Sequence, residues 1–255
     1  MAKPAVILVD ADKGGVGKTT VARALLDYLI AHNIPTRAFD TESPKGTLRR
    51  FHPDITEVVD ITSTADQMKV FDSVSTSSAQ ITLIDVRAGL LSTTLKALRD
   101  IGFLDAAKKS QLTFAVFHIL GPSVASLDEI AETSGFMGDF NYFLVKNFIN
   151  NTTFFEWDPA TYNTYFRKIK GAHEITIPKL NEMACEQVEL ASVPFVSFVA
   201  NKGMDAQPAN YSFVLRGYVR HWLGNVWAEF DRLKLNDIVA PDMSRKNPAR
   251  QERAS

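Results

Sequence analysis

Two lysines, Lys13 and Lys18, stand five positions apart around three glycines in the stretch Asp-Ala-Asp-Lys-Gly-Gly-Val-Gly-Lys-Thr-Thr, residues 10–20. Glycines lack a Cβ, so their backbone N–H groups can crowd around phosphate oxygens. A helix opening at Lys18 would add the positive end of its dipole. Lys18 is then placed to reach β- and γ-phosphates, and the Thr19 hydroxyl to bind Mg²⁺. Gly14, Gly15, Val16, Gly17, Lys18, Thr19 and Thr20 form the candidate phosphate cradle. Asp85 ends an apolar run, where a carboxylate can hold a metal-bound water beside Thr19. One lysine suffices for one triphosphate, so Lys13 needs a separate explanation.

These groups work only if strands and helices bring them together. Apolar runs at 5–10, 35–40, 81–86, 112–120, 140–148 and 173–178 read as strands, with 194–200 as a further short one. Continuous runs of this length suit a parallel sheet covered on both sides. Segments 19–33, 92–110 and 122–135 read as helices, with Pro122 in a first turn and Gly135 near a stop. Val219, Trp222, Val226, Phe230 and Leu233 recur at helical spacing and predict a final helix over 218–235, packed on the sheet. Strand–helix alternation implies an α/β fold, a mostly parallel twisted sheet with helices on both faces, as in P-loop NTPases. No repeat or long linker interrupts it, so residues 1–239 are expected to form one domain. Residues 240–255 lack apolar periodicity and are expected to be a flexible tail.

The glycine loop departs from the usual P-loop: Asp12 stands where the first glycine is normal, and Lys13 follows. Lys13-Gly14-Gly15-Val16-Gly17-Lys18-Thr19-Thr20 resembles the deviant Walker A motif of the ParA/MinD family of dimerising ATPases. The resemblance implies that Lys18 serves its own nucleotide while Lys13 crosses a homodimer interface to the partner's phosphates. It also makes 39–47 a switch segment. Asp40 then falls in the water shell of Mg²⁺, and Glu42 stands where the family has a water-positioning aspartate. Ser43 is an extra residue before Pro44, and Lys45 replaces a glutamine. These departures imply slow, partner-stimulated ATP hydrolysis. Asp85 corresponds to the Walker B acid, followed here by Arg87.

Guanine readers use Asn-Lys-x-Asp, and no aspartate follows Asn147 at that spacing. An asparagine amide can by itself match adenine's acceptor at N1 and donor at N6. The resemblance likewise places Asn147 on adenine and makes Pro194 and Phe195 part of a loop closing over the base. ATP with Mg²⁺ is the expected cofactor pair.

Composition narrows the rest. A net charge of −1 gives no whole-protein attraction to nucleic acid or anionic lipid, so such contacts need a local patch. The single cysteine, Cys185, excludes an intrachain disulfide and any intrachain multi-cysteine metal or iron–sulfur site. This removes the cluster-carrying relatives of the two-lysine loop. No apolar run approaches about 18 residues and no signal peptide is visible, so no membrane span is expected and a cytoplasmic location is. Candidate partners are non-specific DNA, through Arg49, Arg50, Arg216, Arg220 and basic tail residues, or an adaptor protein. Both fit plasmid partition, positioning or DNA transfer. The aromatic stretch 148–171, with Arg167, Lys168 and Lys170, reads first as a packed excursion between strands. Two other readings stand beside the switch: a metabolic ligase of the dethiobiotin synthetase kind, and a nucleotide-binding adaptor with little hydrolysis.

Overall fold

A computed structural model describes residues 3–11, 13–138, 140–149, 152–165 and 171–241, with Val124 and Ala125 described by backbone alone. Arg167, Lys168, Lys170 and the tail beyond residue 241 lie outside the described residues. Seven strands form one sheet: β1 Ala5–Asp10, β2 Thr36–Asp40, β3 Thr56–Val58, β4 Ile81–Asp85, β5 Thr113–Leu120, β6 Asn141–Asn147 and β7 Ala172–Ile177. Their order is β3-β2-β4-β1-β5-β6-β7, and every neighbouring pair is parallel. The helices are α1 Lys18–Ala31, α2 Thr64–Phe71, α3 Ser73–Thr76, α4 Leu91–Asp100, α5 Phe103–Lys108, α6 Val124–Met137, α7 Pro159–Tyr165, α8 Glu182–Ala191, α9 Phe195–Val199, α10 Phe213–Arg232 and α11 Leu235–Val239.

The sheet buries both faces, which is why its central strands read as unbroken apolar runs. Along β1, Ile7 and Val9 join a core with α1 and α8–α11, while Val6 and Leu8 join a second core with α2–α6. Helix α10 buries Leu215, Val219, Trp222, Leu223, Val226 and Phe230, one stripe at helical spacing. Its N-cap Ser212 accepts from Leu215 N, so the helix begins earlier than its apolar stripe suggests and ends at Arg232.

Three expectations change. Residues 194–200 form a helix, not a strand: Phe195 and Phe198, three apart, turn the same way into the core. The single helix expected over 92–110 is two, because Gly102 takes a left-handed φ of 76° between them. Gly135 does lie near the stop, in the last turn of α6, which ends at Met137 before Gly138. Strand β3, only Thr-Glu-Val, was not anticipated. At the C-terminal end, Val239 and Ala240 are buried in the α1-side core, so packing reaches into the segment expected to be tail.

The chain leaves β1 toward β2 on one side, and leaves β4 toward β5 on the other. The carboxyl ends of β1 and β4 therefore lie at a topological switch point, the place where open α/β sheets bind ligands.

Candidate nucleotide-binding site

The glycine loop leaves β1 at this switch point and enters α1. Gly15 and Gly17 have φ of 81° and 86°, conformations that a Cβ would strain. A Cβ on Gly17 would also stand 2.2 Å from Asn147 Nδ2. Helix α1 has no side-chain cap and no acid in its first turn. Its first N–H groups are thus presented to the loop, an arrangement that attracts an anion. Gly14 and Gly15 are exposed, Val16 is buried, and Lys18, Thr19 and Thr20 are half-buried. Lys13 is exposed on the loop.

Asp85, buried at the end of β4, gathers the loop's polar groups. Lys18 Nζ lies 2.5 Å from its Oδ1, and the Thr19 hydroxyl donates to its Oδ2 at 3.1 Å. Burial pushes the Asp85 carboxyl up to about 6 against the opposing pull of Lys18, so it is mostly ionised at neutral pH. Asp40 pairs directly with Asp85 across β2 and β4. Both Asp40 oxygens are engaged: Oδ1 accepts from Glu42 N at 2.9 Å, and Oδ2 from Leu48 N at 2.6 Å and Arg49 N at 3.3 Å. Asp40 therefore organises the turn that follows β2. Glu42 lies in that turn, half-buried, with its carboxylate accepting from the Thr47 hydroxyl. Lys45 is exposed. Arg87 has an exposed side chain, and its backbone N–H donates to the Thr41 hydroxyl at 2.7 Å.

Among the described residues no three His, Cys, Asp or Glu side chains gather to hold a metal. The Thr19 hydroxyl and the Asp85 carboxylate, with Asp40 alongside, are hard oxygen donors too few for a dedicated cage. That set fits Mg²⁺, which keeps several waters and takes other ligands from phosphate.

Asn147, buried at the end of β6, donates from Nδ2 to Val16 O at 2.9 Å and so braces the glycine loop. It also lines a cavity of about 180 Å³ with Thr20, Arg23, Pro178, Leu180, Phe195 and Trp222. Of the two residues expected to close over a base, Phe195 lines this cavity but is buried under Arg23. Pro194 caps α9 and is not among the lining residues. Sequence reading passed over Pro178 and Leu180, held in place by the Trp222 indole N–H on Pro178 O at 2.7 Å. The signal available was the proline ending the apolar run 173–178.

Asp10 was also missed. It is buried, its Oδ1 accepts from Ala11 N at 2.5 Å, and its Oδ2 has no partner among the described residues. Burial, with Glu129 nearby, raises its pKa well above the usual carboxylate range. Beside it in register lies buried His118, 2.6 Å from the Tyr142 hydroxyl and 3.1 Å from Glu129.

No protein-family model matches the sequence, and no curated protein sequence matches it significantly. Solved structures do. A ParA family ATPase from Chlorobium tepidum is similar at a TM-score of 0.52 and 13% identity, over 86% of this chain and 97% of that one. A nucleotide-binding protein from Archaeoglobus fulgidus, solved with ADP, is similar at a TM-score of 0.49 and 14% identity, over 72% of this chain and 85% of that one. The MinC:MinD cell division protein complex of Aquifex aeolicus matches at a TM-score of 0.44 and 15% identity, over 86% and 96%. At such identities the likeness establishes the architecture alone: the chain has an α/β fold like that of the ParA family ATPase.

Proposed function

We propose that this chain is an ATP-dependent molecular switch that binds Mg·ATP at the glycine loop, pairs with a second copy, and resets by slow hydrolysis. The observation carrying the proposal is the convergence of Lys18 and Thr19 on buried Asp85, below a loop whose left-handed glycines open onto an uncapped helix. Lys18 exchanges Asp85 for phosphate oxygens, and the N–H groups of α1 hold the same anion. Thr19, Asp85 and, through water, Asp40 would hold Mg²⁺, which neutralises charge developing on the phosphates. The adenine enters the cavity that Asn147, Pro178, Leu180 and Thr20 help to line. Phe195 forms part of that cavity wall, and Pro194 caps the helix α9 that carries it.

Lys13 is exposed on the loop and so is available to a second chain, as the two-lysine motif implies. A cation supplied in trans would make assembly depend on bound nucleotide by mass action. The reading extends to non-specific DNA or an adaptor protein as partner, in partition, positioning or transfer, with a cytoplasmic location. Arg49, Arg50 and Arg220 are exposed and could contribute to DNA contact on dimerisation. Among the described residues no helix is long and apolar enough to cross a membrane.

A second reading, a nucleotide-binding adaptor with little turnover, is favoured by one contact. Glu42 Oε2 accepts from the Thr47 hydroxyl, which ties this side chain to its own turn. Phosphate release from Mg·ATP, with and without non-specific duplex DNA at stated salt, separates the two. The switch predicts slow turnover that Lys18→Ala abolishes; nucleotide binding without turnover under either condition supports the adaptor.

A further inference from the structure

Arg23 occupies a junction that nucleotide binding alone leaves unexplained. It lies one turn along α1 from Thr20 and is buried. Its guanidinium is stacked between two rings, 3.3 Å from the Phe51 centroid and 4.2 Å from that of Phe195. Nη1 donates to Glu189 Oε1 at 2.6 Å, whereas Nε and Nη2 have no hydrogen-bond partner among the described residues. Burial lowers its pKa to about 10, so it remains cationic at neutral pH. A buried cation with two idle donors is costly, and an apolar residue of similar size would avoid the cost.

The surroundings join two parts of the site. Arg50 lies against the same Phe51 ring, 4.4 Å from its centroid, and also pairs with Glu189. Glu189 thus bridges two guanidinium groups with Phe51 between them. Phe51 belongs to the turn at 46–52, which hangs from Asp40 through Leu48 N and Arg49 N. This turn also holds Glu42, through Gly46 N donating to Glu42 O at 2.9 Å and the Thr47 hydroxyl donating to its carboxylate. It is therefore fixed at one end by Asp40, beside Asp85, and at the other by Arg23, which lines the cavity with Thr20 and Asn147.

Resting on the nucleotide reading above, we propose that Arg23 is a positioning residue: a purine base in the cavity supplies acceptors to its idle N–H groups and so fixes the turn at 46–52, and with it Glu42. The base, not the phosphates, is the part of the ligand that reaches this cavity wall. Lysine cannot replace Arg23, since only a planar guanidinium stacks between two rings while donating along its edge.

Arg49 and Arg50 are exposed in the turn, so tryptic cleavage after them reports its mobility. The full-length protein is digested alone, with ADP and with inorganic tripolyphosphate, cleavage is followed by mass spectrometry, and ADP binding is measured by calorimetry. ADP should slow cleavage at Arg49 and Arg50 about fivefold or more, and tripolyphosphate should not. Glu189→Gln should still bind ADP but lose the protection, and Arg23→Lys should bind ADP more weakly and lose the protection as well. Glu189 is partly exposed, so its variant serves even if Arg23→Lys fails to fold. Equal protection in wild type and Glu189→Gln, or protection by tripolyphosphate, overturns the inference and leaves the nucleotide reading standing. Absence of ADP binding by the wild type overturns both.

Discussion

Lys18 Nζ stands 2.5 Å from Asp85 Oδ1, so the lysine expected to grip phosphate is paired with the acid expected to hold the metal. Removing one partner of a buried pair costs about 3–5 kcal/mol. Asp85 can take up a proton near pH 6, which limits the loss. Lys18→Ala should therefore destabilise the ligand-free protein by about 1–3 kcal/mol in urea unfolding at neutral pH. Lys18→Ala/Asp85→Asn should recover part of this. Strict additivity of the two single variants would argue against the coupling.

Gly17 combines a left-handed φ of 86° with a side chain from β6 standing where its Cβ would go. Gly17→Ala should cost at least about 1–2 kcal/mol from the backbone alone and more from the collision with Asn147. Adding Asn147→Gly should relieve the collision but not the strain, and should not restore nucleotide binding, since Asn147 braces Val16. Thermal unfolding and nucleotide titration of the single and double variants measure both effects.

Asp27, buried on α1, accepts from Val196 N at 3.3 Å and faces His52 at 3.7 Å. Burial raises its pKa to about 7 and lowers that of His52 to about 3. For Asp27 the folded state binds the extra proton, so its contribution is complete below about pH 4 and is lost as pH rises through 7. For His52 the folded state releases a proton early, so its contribution rises between about pH 3 and 6.5 and opposes that of Asp27. Asp27→Asn keeps an oxygen for Val196 N while removing the ionisation. Its advantage over wild type should grow by on the order of 1–3 kcal/mol between pH 5.5 and pH 8.5. Denaturant unfolding at the two pH values checks the sign.

Much of this arrangement could be read from the sequence, because its signals are local. The glycine loop, the helix at Lys18 and the acid at Asp85 each sit beside an apolar run long enough to be a buried strand. Three-residue β3 has no such run, and it forms because β2 offers an edge. Residues 194–200 are apolar but for Ser197, and such a short run does not distinguish a strand from a buried helix; the burial of both Phe195 and Phe198, three positions apart, decides it. The break at Gly102 is hidden because both flanking segments keep helical periodicity. Arg23 was invisible for a different reason. Its partner Glu189 is 166 residues away, and only the placement of α8 beside α1 brings them together. Pro178 and Leu180 escaped notice because their role depends on where β7 ends relative to β6.

The central claim is that nucleotide binding and pairing are one event, joined by Lys13. Sedimentation velocity of the full-length protein with Mg·ATP, with Mg·ADP and without nucleotide tests it most directly, on wild type and Lys13→Ala side by side. The account predicts a shift from monomer to dimer with ATP alone in the wild type, and no shift in Lys13→Ala despite unchanged monomer stability. A wild type that stays monomeric at saturating ATP, or a Lys13→Ala variant that dimerises as well as wild type, would contradict it.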